Sequence, residues 1–193
     1  MEDKIIIIGG GGHATVLISI LKKINKFIIS GYTDNNNYGD ILGAKYLGND
    51  DVLIQLYNNG VKNAALGIGQ VNLTFKRQII AEKIKNNGFN FPAIISPDST
   101  VNESVSVGEG VQFFDGVVVN SNTKIGNFTT INTNCTIEHD CIIGNFCHVA
   151  TGAVLSGGVE IGDFSMIGAN AVVVQYKRIA SNCLIGAGGV VIN

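Results

Sequence analysis

A histidine stands between two carboxylates at Glu138-His139-Asp140. An adjacent carboxylate holds an imidazole in one tautomer and makes its far nitrogen more basic. A general base that takes a proton from an amine or a hydroxyl needs that arrangement. The chain has only two other histidines, His13 and His148. His148 follows His139 by nine residues. His13 ends the run Gly9-Gly10-Gly11-Gly12-His13-Ala14, which satisfies the pattern GxGxxG/A. Such a turn, between a strand and a helix, lets phosphate approach the helix N-terminus. Asp34, at the end of the next expected strand, suits a ribose hydroxyl. Each feature also has a plain reading: an imidazole in a solvated ion pair, and a glycine turn that serves only strand–helix packing. His139 and His148 are too few for a zinc site, so no metal is expected.

The elements that must position these residues fall into two textures. From Ile95 to Val191 a large apolar residue occupies every sixth position, seventeen times in succession. With roughly a third of residues large and apolar, chance does not produce such a run. A period of six fits neither a helix nor a hairpin sheet. It fits a hexapeptide β-helix, one short strand and one turn per repeat. Three hexads make a coil, so residues eighteen apart stack about 4.8 Å from each other.

Four residues after each large residue comes a small or β-branched one, among them Thr123, Thr129, Cys135, Cys141, Cys147, Ala153 and Cys183; Lys177 is the exception. These are expected inside the prism, and the hexad with Lys177 is expected to bulge or loop. Glycines directly after the large residue, such as Gly108, Gly126, Gly144, Gly162, Gly168 and Gly186, are read as easing the turn. Outward residues such as Val118, Thr130 and Val154 leave an uncharged surface suited to packing between subunits.

The first ninety residues alternate strand and helix patterns, which points to a small parallel sheet with crossover helices. Strands are expected at Lys4–Ile8, Phe27–Tyr32, Asn63–Ile68 and Phe91–Ile95. Helices are expected at His13–Ile24, Asp50–Tyr57 and Leu73–Asn87, the first with Val16, Leu17, Ile20, Leu21 and Ile24 on one face. The only prolines, Pro92 and Pro97, mark a boundary. The reading is therefore a Rossmann-like α/β domain at 1–92 and a β-helix domain at 93–193.

Composition narrows the function. Hydrophobic residues make up 46% of the chain and charged residues 15%, and the net charge is −2. That excludes disorder and argues against nucleic acid as a partner. No apolar run is long enough for a membrane span, and the start is too acidic for a signal peptide. Cysteines at spacings of six are expected as reduced core residues, consistent with the cytoplasm.

The order Ile-Ile-Gly-Gly-Gly-Gly-His, then Gly67-Ile68-Gly69, then Ile137-Glu138-His139-Asp140 within hexapeptide repeats resembles one family across nearly the whole chain. It is the bacterial hexapeptide-repeat sugar acyltransferases, which include sialic acid O-acetyltransferases and N-acetyltransferases of nucleotide-linked 4-amino-4,6-dideoxy sugars. The resemblance implies a left-handed β-helix, a homotrimer with sites between neighbouring subunits, acetyl-CoA as co-substrate and a role in surface glycan synthesis. It places the catalytic base at His139, oriented by Glu138 or Asp140, with Asn132 assisting and His148 as a second histidine. It places the oxyanion donor at the Gly157 N–H and the coenzyme along Ala150, Gly157, Ala169, Gly186 and Ala187. The nucleotide sugar falls at Gly11, Gly12, His13, Asp34, Asn35 and Gly69, with Arg77 added although its spacing from Gly69 is longer than in the family. The family's Gly-x-Pro-Ala-Lys-like element beyond the last coil is absent from this sequence.

The resulting expectation is N-acetylation of a UDP- or dTDP-linked 4-amino sugar. The alternatives are O-acetylation of a sialic acid or related hydroxyl, a non-catalytic sugar-nucleotide-binding solenoid, and a nicotinamide-dependent enzyme using the glycine turn.

Overall fold

A computed structural model describes residues 3–70 and 72–192. The chain divides into two compact units. One comprises the residues up to Gly69 together with Phe75–Pro92; the other comprises Gln70–Thr74 and the residues from Ala93 onward.

In the first unit β1 (Asp3–Ile8) lies at the centre of a three-stranded parallel sheet, between β2 (Phe27–Thr33) and β3 (Asn63–Leu66). Its Ile5, Ile6, Ile7 and Ile8 are buried, as suits a strand covered on both faces. Helix α1 (Gly12–Ile24) carries the crossover and buries Ala14, Leu17, Ile18, Ile20 and Leu21. Val16, expected on that face, is 41% exposed, because the buried stripe is centred on positions 14, 17, 18 and 21.

The expected helix at 50–57 is a 3-10 turn, Asp50–Val52, followed by α2 (Leu53–Asn58). The Asn49 side chain caps the turn by accepting a hydrogen bond from the Asp51 N–H. Helix α3 (Lys76–Asn86) begins three residues later than expected; Asn72 and Leu73 lie in a bend and Leu73 is exposed. The expected fourth strand does not join this sheet. Ile94–Ile95 (β4) instead pairs with β7 (Gln112–Phe113) and starts the β-helix.

The second unit is a parallel β-helix of two-residue strands running from β4 to β20 (Val190–Val191). Each strand pairs with the one eighteen residues on, giving three flat faces of six, six and five strands. The large residue of each hexad points inward: Phe113, Val119, Ile131, Ile137, Val149, Leu155, Ile167 and Val173 are fully buried. The small partners beside them, from Val111 to Ala171, are also fully buried, with Cys135, Cys141 and Cys147 among them. Cys183, nearer the end of the prism, is only half-buried.

Every corner from residue 104 to residue 188 turns through a left-handed residue three places after the large one, from Ser104 to Gly188. The glycines read as easing the turn, Gly186 apart, stand where the next coil leaves no room for a Cβ. Gly126 and Gly144 lack positive φ, and a Cβ at Gly126 would lie 2.6 Å from the Gly144 backbone. They are small because consecutive coils touch there. The hexad with Lys177 neither bulges nor loops: β18 (Arg178–Ile179) pairs in register with β15 (Glu160–Ile161), and the Lys177 carbonyl accepts from the Glu160 N–H. Thr130, expected on the surface, is fully buried, whereas Val118 and Val154 remain partly exposed.

Candidate active site

His139 sits on the corner between β11 (Thr136–Ile137) and β12 (Ile142–Ile143). Ile137 anchors the turn in the core, and Asp140 takes the left-handed conformation, φ 60°. That geometry brings the Asp140 Oδ2 within 2.8 Å of the His139 Nδ1. Asp140 is thus the acid that orients the imidazole. Glu138 instead accepts, at Oε2, a hydrogen bond of 2.9 Å from the Asn120 amide, which in turn accepts from Asn102. With Nδ1–H donated to Asp140, the Nε2 lone pair is the free basic site. The hydrogen bond from His139, and then that from Asn122, hold the Asp140 carboxyl below its ordinary value. Both side chains are about half exposed, at 54% and 56%, so solvent and a ligand can reach the pair.

The next coil explains why residue 157 is glycine. A Cβ there would lie 2.7 Å from both Nε2 and Cε1 of His139. Gly157 lacks positive φ, so the requirement is space for the ring. At this corner the coil-to-coil backbone bonds are made by the N–H groups of Ser156 and Gly158, to Val173 and His139. The Gly157 N–H is not one of that ladder's donors.

Other expected site residues occupy a different edge of the prism. Asn132, Ala150 and Gly186 follow β10 (Thr130–Ile131), β13 (His148–Val149) and β19 (Leu184–Ile185), and stack in one column. Ala169 and Ala187 stack beside them, the Ala169 carbonyl accepting from the Gly188 N–H. The side-chain oxygen of Asn132 accepts from the Thr133 N–H at 2.7 Å. His148 lies on β13 between Thr130 and Met166 and is buried. A whole face, carrying Val118, Thr136, Val154 and Val172, separates this edge from the His139 corner. One chain therefore unites His139, Asp140 and Gly157 but does not bring Asn132 or the small-residue strip to them.

In the first unit the glycine turn joins β1 to α1. Gly11 caps the helix without a side-chain hydrogen bond. The Gly10 N–H donates to the Asp34 Oδ2 at 2.8 Å, and the Asn36 N–H donates to the Asp34 Oδ1. A Cβ at Gly69 would lie 3.4 Å from that of His13, while one at Gly11 or Gly12 would meet nothing. The turn, Asp34, His13 and Gly69 thus gather at the end of β1, with Asn35 exposed alongside. Arg77 is 2% exposed, in the first turn of α3.

Sequence reasoning missed the asparagines. Asn120 and Asn122 each stand eighteen residues before an acid that flanks His139, and each bonds to it. The eighteen-residue stacking rule would have found both. It also missed Tyr38, whose ring packs against Gly10. Burial pushes the Cys135 and Cys147 thiols up to about 11 and raises Cys141 as well, which favours the protonated thiol at these three buried positions. Among the described residues no group of three or more His, Cys, Asp or Glu gathers to hold a metal ion.

Comparison with known proteins meets this geometry. Residues 4–95 match the model of the PglD N-terminal domain, and residues 122–157 and 140–175 match that of the bacterial transferase hexapeptide. A point mutant of GDP-perosamine N-acetyltransferase from Caulobacter crescentus, solved with CoA and GDP-perosamine, is 33% identical over 100% of this chain and 90% of its own, with a TM-score of 0.94. The chain belongs to the hexapeptide-repeat sugar acyltransferases.

The acetyltransferase domain of PglB from Neisseria gonorrhoeae is 30% identical over 98% of this chain and 91% of its own, with a TM-score of 0.90. The same domain, solved with acetyl coenzyme A, aligns at 29% identity over 99% and 93%, with a TM-score of 0.89. Comparison with curated sequences returned no match. The acyltransferase is thus an enzyme built on a left-handed parallel β-helix. No helix among the described residues is long and apolar enough to cross a membrane.

Proposed function

We propose that this acyltransferase moves an acetyl group from acetyl-CoA to the amine of a nucleotide-linked 4-amino-4,6-dideoxy sugar. The observation that carries the reading is the His139–Asp140 pair lying against Gly157 on the next coil. The neutral sugar amine attacks the thioester carbonyl. His139 Nε2 takes the amine proton as the C–N bond forms, and Asp140 stabilises the imidazolium. The Gly157 N–H donates to the developing oxyanion, a contact worth roughly 3 kcal/mol. Collapse of the tetrahedral intermediate breaks the C–S bond, and the CoA thiolate receives the proton from His139. Holding both substrates in line supplies much of the remaining acceleration.

The glycine turn, with His13, Asp34, Asn35 and Gly69, holds the nucleotide diphosphate, within a domain spanning 1–92. The β-helix domain, 93–193, holds the acetyl donor. Because Asn132 and the strip Ala150, Ala169, Gly186 and Ala187 lie on a different edge from His139, a complete site takes its second edge from a neighbouring subunit of a homotrimer. The reaction belongs in the cytoplasm and serves surface glycan synthesis.

An acetyltransferase assay with acetyl-CoA against UDP-, dTDP- and GDP-linked 4-amino sugars and free sialic acid tests the reading. Turnover of a nucleotide-linked amine, with an N-acetyl product by mass spectrometry, is expected. Turnover of sialic acid alone would assign O-acetylation instead.

A further inference from the structure

We propose that Asn122 is the positioning residue that fixes the tautomer of His139, acting through Asp140. The inference rests on reading His139 as the general base. Asn122 stands on the preceding coil, eighteen residues before Asp140. Its amide donates to the Asp140 Oδ1 at 3.2 Å, while the Asp140 Oδ2 is 2.8 Å from the His139 Nδ1. Both carboxylate oxygens are therefore engaged, one by a fixed amide and one by the imidazole. A carboxylate held at one oxygen only turns freely about its last torsion, a broad, nearly two-fold one. Held at both, it presents a lone pair in one direction and selects the Nδ1–H form. The Nε2 lone pair is then left beside Gly157.

The residue type fits this role. Asn122 is left-handed, φ 63°, a conformation that asparagine tolerates better than most residues. At equivalent corner positions Asn134 and Asn170 lie over Gly116 and Gly152 of the preceding coil, which carry no side chain to meet them. Asp140 has instead an amide on the coil before it. The same contact is among the causes that hold the Asp140 carboxyl below its ordinary value, after the larger one from His139. Asn120 bonds to Glu138, the acid that does not touch the imidazole, so the neighbouring ladder does not duplicate this function.

Asn122→Gly removes the amide and keeps the backbone conformation, since glycine fills the same corner position at Gly110, Gly116 and Gly158. With uniformly 15N-histidine-labelled protein, His139→Ala identifies the His139 signals among the three histidines. Asn122→Gly is expected to move those signals away from the Nδ1–H pattern and to lower kcat roughly threefold to tenfold, the scale of one ordinary solvent-exposed hydrogen bond. KM for acetyl-CoA should stay the same. Asn122→Asp, which keeps the shape but cannot donate, should lose at least as much. Asn182→Gly, the same change at a distant corner, should keep wild-type turnover. Unchanged His139 signals and unchanged kcat in Asn122→Gly would overturn the proposal, as would full activity in Asn122→Asp or an equal loss in Asn182→Gly. The nitrogen signals need no substrate. Should the wild type transfer no acetyl group, they would still decide the positioning role separately from the enzymatic reading.

Discussion

Two corners of the same prism share one backbone and differ in everything they do with it. At the corner that carries Phe128, Phe146 and Phe164, the left-handed position repeats one residue type, and the rings stack with centroids 4.9 and 5.5 Å apart and planes within 11° and 3°. Beside them Asn127, Asn145 and Asp163 each accept, through a side-chain oxygen, the N–H of the residue eighteen before. Repetition there ties coil to coil. At the His139 corner the matching column reads Ser121, His139, Gly157 and Gln175, no two alike, and the left-handed column reads Asn122, Asp140, Gly158 and Tyr176. In a solenoid stability grows from identical neighbours. The corner where the neighbours stop being identical is the one to which the proposed chemistry is assigned.

This contrast is open to attack by mutation on either side. The largest effect belongs to His139→Ala, which should lower kcat about 100-fold or more, the range expected for losing a general base, without moving the unfolding temperature. Steady-state kinetics at saturating substrates and a thermal melt check both halves. Gly157→Ala comes next. Its methyl would sit 2.7 Å from the imidazole, so the ring must move, and kcat should fall on the order of tenfold with the fold intact. Phe146→Ala should invert the pattern, costing about 2 kcal/mol of stability for a half-buried aromatic while kcat stays near wild type. A similar loss of kcat in Phe146→Ala would erase the distinction between the corners.

The smallest effect concerns the buried thiols. Cys135 and Cys147 are raised from 9.0 to about 11, chiefly by burial. A thiol raised on folding stabilises fully below 9.0 and loses that contribution as pH rises through about 11, because the unfolded thiol ionises first. Stability should therefore decline across that alkaline window. Alkylation of native protein at pH 8 should modify Cys183, which is only half-buried, before the other three.

The β-helix was legible because its rule is local: every sixth residue faces inward whatever the coil does. Val16 and the start of α3 were less legible, since a helix face and a helix start depend on what packs there, which periodicity alone does not carry. The site was legible in part. His139 announced itself by its two acids, but local sequence gives Glu138 and Asp140 equal standing. The left-handed turn at Asp140 decides between them, and it is a property of the corner. Asn120 and Asn122 were hidden because their partners are a full coil away. His148, conspicuous as one of three histidines, is buried on a face of the prism, away from the His139 corner.

In the proposed mechanism the base sits on one edge of the prism and the donor strip on another, joined only between copies of the chain. The most direct measurement is complementation in mixed oligomers. His139→Ala chains lack the base but keep the strip, and Ala169→Trp chains keep the base but block the strip. Each alone should be nearly inactive. Unfolded together and refolded, with mixed trimers verified by mass, they should regain about a quarter of wild-type activity, since a working site needs one ordered pair of chains. No recovery in verified mixed trimers, or full activity in a monomer by light scattering, would contradict it.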